Sequence, residues 1–302
     1  MTTTANLPAV PVEALEVHAD NLDPARAAAI YREFGALVVR GLMKPYVKSI
    51  HGDIEALAQQ AIALVDQARQ IPEGWTTPDG TLWLPAPAGF SRDKQIMVLA
   101  CRYMHSASLF RSAFDPNMLQ TIAAILGPNV ELFMEGQVLY KEPCGGHPKM
   151  LHQDASYFEH KFEGPCAALC YAVDTDLNNG ALHVVPGSHK FGVLKHVDTF
   201  SHLGLDPSIW TWEKALPVCG KAGDAIFFHV NTIHGSKENF SQASRPAFIH
   251  RYRRADDYIV ISATGTKNRE LAEKQRKEAK KENQLGLMVL GRRSYQADRT
   301  TA

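Results

Sequence analysis

A chain of 302 residues, 45% hydrophobic and 21% charged, has the composition of a soluble globular protein with an adequate core, which excludes disorder as the main story. Its 32 basic residues balance its 32 acidic ones, and that neutrality argues against a protein held on nucleic acid by counterion release. No linker, repeat or low-complexity run interrupts it, so a single domain over 1–302 is expected.

The N-terminal MTTTANLPAV has no basic stretch leading into an apolar one, and no run of about 18 apolar residues follows anywhere. Asp23-Pro24 is a helix N-cap followed by proline at the first helical position, opening a helix that Gly35 stops. A short strand is expected over 36–40, and residues 46–69 carry apolar positions at helical spacing. From 71 to 90 the prolines and glycines read as a loop carrying Trp75 and Trp83, of a length that suits a lid. Asp115-Pro116 opens another capped helix, which closes a helical N-terminal region over 1–130.

Beyond that point the apolar period changes to two. Strands are expected over 131–141, 167–174, 181–185, 225–230 and 247–253, a β-core over 131–255. Helices followed by several strands give a mainly β (α+β) fold, a β-sandwich or jelly roll with helices packed on one outer face. The run 266–284 is a charged helix whose default reading is a solvated surface. The chain ends in Thr-Thr-Ala, which is not the peroxisomal tripeptide, and the expectation is a cytoplasmic protein without a membrane partner. Five scattered cysteines without a CxxC pair point to small buried apolar groups rather than disulfides or thiolate zinc.

The chemistry gathers at GHPKMLHQDAS, 146–156. In extended backbone residues at i and i+2 share a face, so His152 and Asp154 can hold one metal ion together. A third ligand must come from elsewhere, and the best candidate is His234, at the end of AIFFHVNTIH. Two histidines and one carboxylate leave three octahedral positions open, the arrangement expected of non-haem Fe(II) oxygenases. Arg245, eleven residues beyond His234, opens another strand-like run.

The segments ILGPNVELFMEGQVLYKEP, HQDASYF, LNNGALHVVPGSHK and GDAIFFHVNTIHGSKENFSQASR together resemble the phytanoyl-CoA dioxygenase family of Fe(II)- and 2-oxoglutarate-dependent oxygenases, over roughly residues 90–255. A bare HxD carries little information; HxD followed at family spacing by NNG, PGSH, GD, HGS and an arginine carries much. The resemblance implies a double-stranded β-helix, with Fe(II) on His152, Asp154 and His234, and 2-oxoglutarate and O2 as co-substrates. It implies oxidative decarboxylation to succinate and CO2, coupled to hydrogen abstraction from a small-molecule substrate. It assigns the 2-oxoglutarate 5-carboxylate to Arg245 and the Ser236 hydroxyl, and a lone buried carboxylate without such a cation is costly. Because Asp154 fills the position that halogenating relatives leave to chloride, hydroxylation is expected.

Rival readings accompany these. Of thirteen histidines, His105, His147, His183, His189, His229 and His250 are expected to be ordinary hydrogen-bonding groups. Gln137 and Tyr140 have opposite phase on one strand, and Gln137 is the expected cofactor or substrate contact. One of Tyr157 and Phe158 is expected in the core, and Lys141, Lys149 and Lys161 on a solvated face. Where acyl-CoA-oxidising relatives carry an aromatic residue, this chain has Leu169, so the co-substrate pocket is lined differently; acyl-CoA 2-hydroxylation is the alternative substrate reading. Trp75, Trp83, Trp210 and Trp212 offer surface for an apolar or quaternary ammonium substrate. Two other classes remain open: a zinc hydrolase or isomerase uses the same ligands without needing Arg245, and a binding module needs no triad. Oligomeric state is not legible.

Overall fold

The computed structural model describes residues 7–87, 89, 92–199, 203–262, 277 and 284–293. Two antiparallel-dominated sheets face one another. The larger has twelve strands, in the order Glu16–His18, Ala36–Arg40, Ala225–Phe228, Cys166–Tyr171, Arg245–Arg254, Gln137–Lys141, Ile96–Leu99, Leu82–Pro85, Gly74–Thr76 and Arg69–Ile71. Val130–Leu132 extends it beside the far end of Arg245–Arg254, with Met288–Leu290 beyond. The smaller runs Leu216–Val218, Leu182–Val184, His234–Ser236, Lys149–His152. This is the double-stranded β-helix, mainly β, with its helices against one outer face.

The local devices explain the start of the chain. Asp23 Oδ1 accepts from the backbone N–H of Ala25 and Arg26, and Gly35 closes the helix Pro24–Phe34 at φ 69°, a left-handed conformation that favours glycine. That helix packs on Pro116–Leu126 and on Ala36–Arg40, while Val47–Ala63 packs beside Ile96–Leu99, so all three cover the larger sheet. Between helices and barrel lie Leu37, Val39, Phe227, Phe248 and Tyr252, each essentially fully buried. Each such side chain contributes about 1.5–3 kcal/mol of transfer free energy.

Three expectations need correction. The helix read over 46–69 ends at Ala63, because Arg69–Ile71 leaves it to pair with Gly74–Thr76. The stretch 71–90 is no lid-like loop: Gly74–Thr76 and Leu82–Pro85 form a hairpin with Trp75 opposite Trp83, and Leu82–Pro85 pairs onward with Ile96–Leu99. Its Pro78 and Gly80 mark only the turn, where Asp79 accepts from Thr77 and Thr81. The region 1–130 therefore contributes strands as well as helices. The charged helix expected over 266–284 lies outside the described residues except for Lys277 and Gln284. Among the described residues no helix is long and apolar enough to cross a membrane. Cys101, Cys166 and Cys170 are buried as expected, whereas Cys144 and Cys219 are exposed.

Candidate active site

His234 and His152 are direct cross-strand partners on neighbouring strands of the smaller sheet. Opposed residues of an antiparallel pair hold their Cβ atoms about 5 Å apart, and the two imidazole centroids lie 4.3 Å apart. The close approach needs Gly235, where an added Cβ would stand 2.7 Å from the Lys149 carbonyl oxygen. Asp154, two residues beyond His152, begins a short 3-10 turn. Its Oδ1 lies 3.8 Å from Nε2 of His152 and 3.7 Å from Nε2 of His234. One ligand atom from each of the three falls within 4.8 Å of the others, and all three residues are buried. Gln153, between the ligands, points the other way and donates to the carbonyls of Gly192 and Asn231, as the period of two requires.

Both imidazoles are preset. Nδ1 of His152 faces the Met150 carbonyl at 2.8 Å, and Nδ1 of His234 faces that of Thr232 at 2.9 Å. A carbonyl only accepts, so Nδ1 carries the hydrogen and Nε2 keeps the lone pair aimed at the common centre. Burial lowers the His234 pKa, partly offset by Asp154, which favours the neutral ligand form. Asp154 Oδ2 is buried without a hydrogen-bond partner. Two imidazoles and a carboxylate oxygen converging on one point fit a divalent first-row metal.

The triad opens into a cavity of about 470 Å³ whose lining also includes Gln137, Ser236 and Arg245. Arg245 is 2% exposed; its Nη2 donates to the Gly180 carbonyl at 2.7 Å, and its buried Nε has no hydrogen-bond partner. The NNG turn thus supplies the oxygen that holds the arginine, with Gly180 at φ 85° and an added Cβ 2.7 Å from the Lys237 carbonyl. Burial pushes the Arg245 pKa down to about 10, so the guanidinium stays charged near neutrality. Leu169, Leu182 and Phe228 form apolar wall. Gln137 accepts from Arg251, while Tyr140 faces away and donates to Glu55.

Several expectations fall here. Lys141 is buried beside Arg245, with its ammonium on the His147 carbonyl, and Lys149 lines the cavity with its pKa pushed by burial to about 8; neither lies on a solvated face. Tyr157 and Phe158 both line the cavity. The tryptophans do not: Trp83 and Trp210 are buried in cores and Trp212 packs on His183. Two histidines behave as expected, outside the triad: His229 is drawn off to Glu163 and His189. His250 is held by Tyr103 and Ser112. Arg251, unnoticed in the sequence, stands 3.5 Å from Asp154 Oδ2; its even spacing from Arg245 along one strand was the available signal.

Known proteins show the same architecture. The chain aligns structurally with the non-heme alpha ketoglutarate dependent carbocyclase SnoK from nogalamycin biosynthesis at a TM-score of 0.60, with 18% identity over 92% of this chain and 97% of that one. EctD from S. alaskensis, solved with 2-oxoglutarate and 5-hydroxyectoine, gives a TM-score of 0.57 and 19% identity over 88% and 89%. In sequence, the peroxisomal phytanoyl-CoA dioxygenase of Rattus norvegicus is 27% identical over 79% of this chain and 71% of its own length. A probable alpha-ketoglutarate-dependent hypophosphite dioxygenase of Stutzerimonas stutzeri is 31% identical over 51% of this chain and 54% of its own. With residues 31–247 matched by the family model for phytanoyl-CoA dioxygenase (PhyH), the chain belongs to that family.

Proposed function

We propose that this protein is an Fe(II)- and 2-oxoglutarate-dependent dioxygenase that hydroxylates an unactivated C–H bond of a small-molecule substrate. One observation carries the reading: the His152, Asp154, His234 triad and the buried guanidinium of Arg245 open into a single cavity. When bound, Fe(II) with 2-oxoglutarate supplies oxidative decarboxylation, so that substrate, 2-oxoglutarate and O2 become hydroxylated product, succinate and CO2. The chain's own residues do the rest. His152, Asp154 and His234 present three ligand atoms, with both imidazoles fixed in the tautomer that ligates. Arg245 takes the 5-carboxylate in a two-pronged grip that lysine cannot copy, and Ser236 adds a hydroxyl donor. Leu169, Leu182 and Phe228 keep water from the reacting end. A zinc hydrolase on this scaffold would leave Arg245 buried with no carboxylate to meet.

A larger cavity of about 790 Å³ adjoins the first and shares Met134, Tyr157 and Phe158 with it; Phe110, Phe133 and Leu287 add apolar wall. That cavity and the similarity to the rat dioxygenase support acyl-CoA 2-hydroxylation as a second reading of the substrate. The test is succinate release under labelled O2 across acyl-CoA esters and small organic acids. Fe(II)-dependent succinate with one labelled oxygen in the product is expected. Full turnover with Zn(II) and no 2-oxoglutarate would contradict the reading.

A further inference from the structure

On the strand Arg245–Arg254 one face carries Arg245, Ala247, Ile249 and Arg251, and the first and last of these flank the cavity from opposite ends. Ile249 is the cross-strand partner of Gln137, which puts Arg251 diagonal to it, within reach of a long side chain. Arg251 Nη1 donates to Gln137 Oε1 at 2.8 Å, and Nη2 stands 3.5 Å from Asp154 Oδ2. Phe158 covers the guanidinium, its ring centroid 5.8 Å away. Arg251 is 7% exposed and Asp154 6%, so the pair meets where charges are weakly screened.

The two oxygens of Asp154 therefore have separate surroundings: Oδ1 lies beside both imidazoles, and Oδ2 stands 3.5 Å from the arginine. We infer that Arg251, braced by Gln137, is a positioning residue that holds Oδ2 and so keeps Oδ1 of Asp154 aimed at the point where the two imidazoles converge. This rests on the metal reading above. Without the arginine the buried carboxylate is free to turn Oδ1 away from the two imidazoles, and the metal loses a preset ligand. The cation has an electrostatic cost, because a fixed positive charge beside a metal site opposes metal binding. The opposing signs make the inference testable: positioning predicts weaker metal binding when the arginine is removed, and charge repulsion alone predicts tighter binding.

The experiment is anaerobic Fe(II) titration of wild type, Arg251→Gln, Arg251→Lys and Gln137→Leu, followed by 2-oxoglutarate addition and the visible charge-transfer band of the chelate. Partners of ligating groups typically contribute 10–100-fold in metal affinity. Arg251→Gln is expected to weaken Fe(II) binding about tenfold and to diminish the band. Arg251→Lys recovers part of both, and Gln137→Leu shifts affinity in the same direction by less, non-additively with Arg251→Gln. Near-ultraviolet circular dichroism checks the fold; should Arg251→Gln not fold, Arg251→Lys and Gln137→Leu decide. Unchanged or tighter Fe(II) binding in folded variants, with wild type binding normally, overturns the inference and leaves the metal reading intact. Wild type that binds no Fe(II) overturns both.

Discussion

The two sheets contribute to the site in different ways. The smaller gives ligands by register: His152 and His234 meet because two short strands pair directly, and Gly235 lets them approach. The larger gives charge by depth: Arg245 and Arg251 lie along one face of a long central strand, one at the cavity floor and one beside Asp154. On the proposed reading, the metal centre is sensitive to the backbone of a few residues, whereas 2-oxoglutarate binding is sensitive to one side chain on a well-supported strand. Lesions in the two sheets should separate the two binding events.

The strongest separation is expected from Arg245→Gln. Losing a charge-assisted pair to a carboxylate removes up to about 3 kcal/mol, or about 100-fold in 2-oxoglutarate affinity. Fe(II) affinity by anaerobic titration should remain within twofold, and a parallel loss of both would deny the division. Gly235→Ala is the converse. Its Cβ meets the Lys149 carbonyl at 2.7 Å, so the strands must part, and overpacking of this kind costs about 1–3 kcal/mol. Fe(II) binding should fall about tenfold with a lowered melting temperature; unchanged binding would show that register does not set the ligand geometry.

Away from the site, acid should act on the larger sheet through His250. Burial moves its pKa from the usual 6.5 to about 3. The unfolded chain therefore binds a proton that the native one refuses. The stability contributed is full above pH 6.5 and is lost as pH falls towards 3. His250→Phe should flatten that part of the stability profile measured by urea unfolding, even if it lowers stability at pH 7 by losing the bonds to Tyr103 and Ser112. A slope identical to wild type would refute the buried neutral imidazole. The smallest effect is that of Trp83→Phe, which removes one bond to the Lys94 carbonyl and about 1 kcal/mol. Its Michaelis constant for any substrate should match wild type, since Trp83 belongs to the core.

What the sequence disclosed follows the same division. Period-two phase placed His152 with Asp154 and set Gln137 apart from Tyr140, because alternation is a local property of extended chain. The family pattern chose His234 over His229, which local context alone could not do. The hairpin at 74–85 was hidden because Pro78 and Gly80 mark a turn and a loop equally well, and only the Trp75–Trp83 pairing distinguishes them. Lys141, Lys149 and Arg251 were hidden because long cations are usually solvated, and burial of a charge is decided by partners far away in the chain.

The central claim is that His152, Asp154 and His234 hold one ferrous ion. Anaerobic addition of Fe(II) and 2-oxoglutarate to wild type, His234→Ala and His229→Ala tests it most directly. Wild type and His229→Ala should bind one equivalent of iron and develop the visible charge-transfer band, and His234→Ala should do neither. A band that survives in His234→Ala, or that disappears in a folded His229→Ala, would contradict the account.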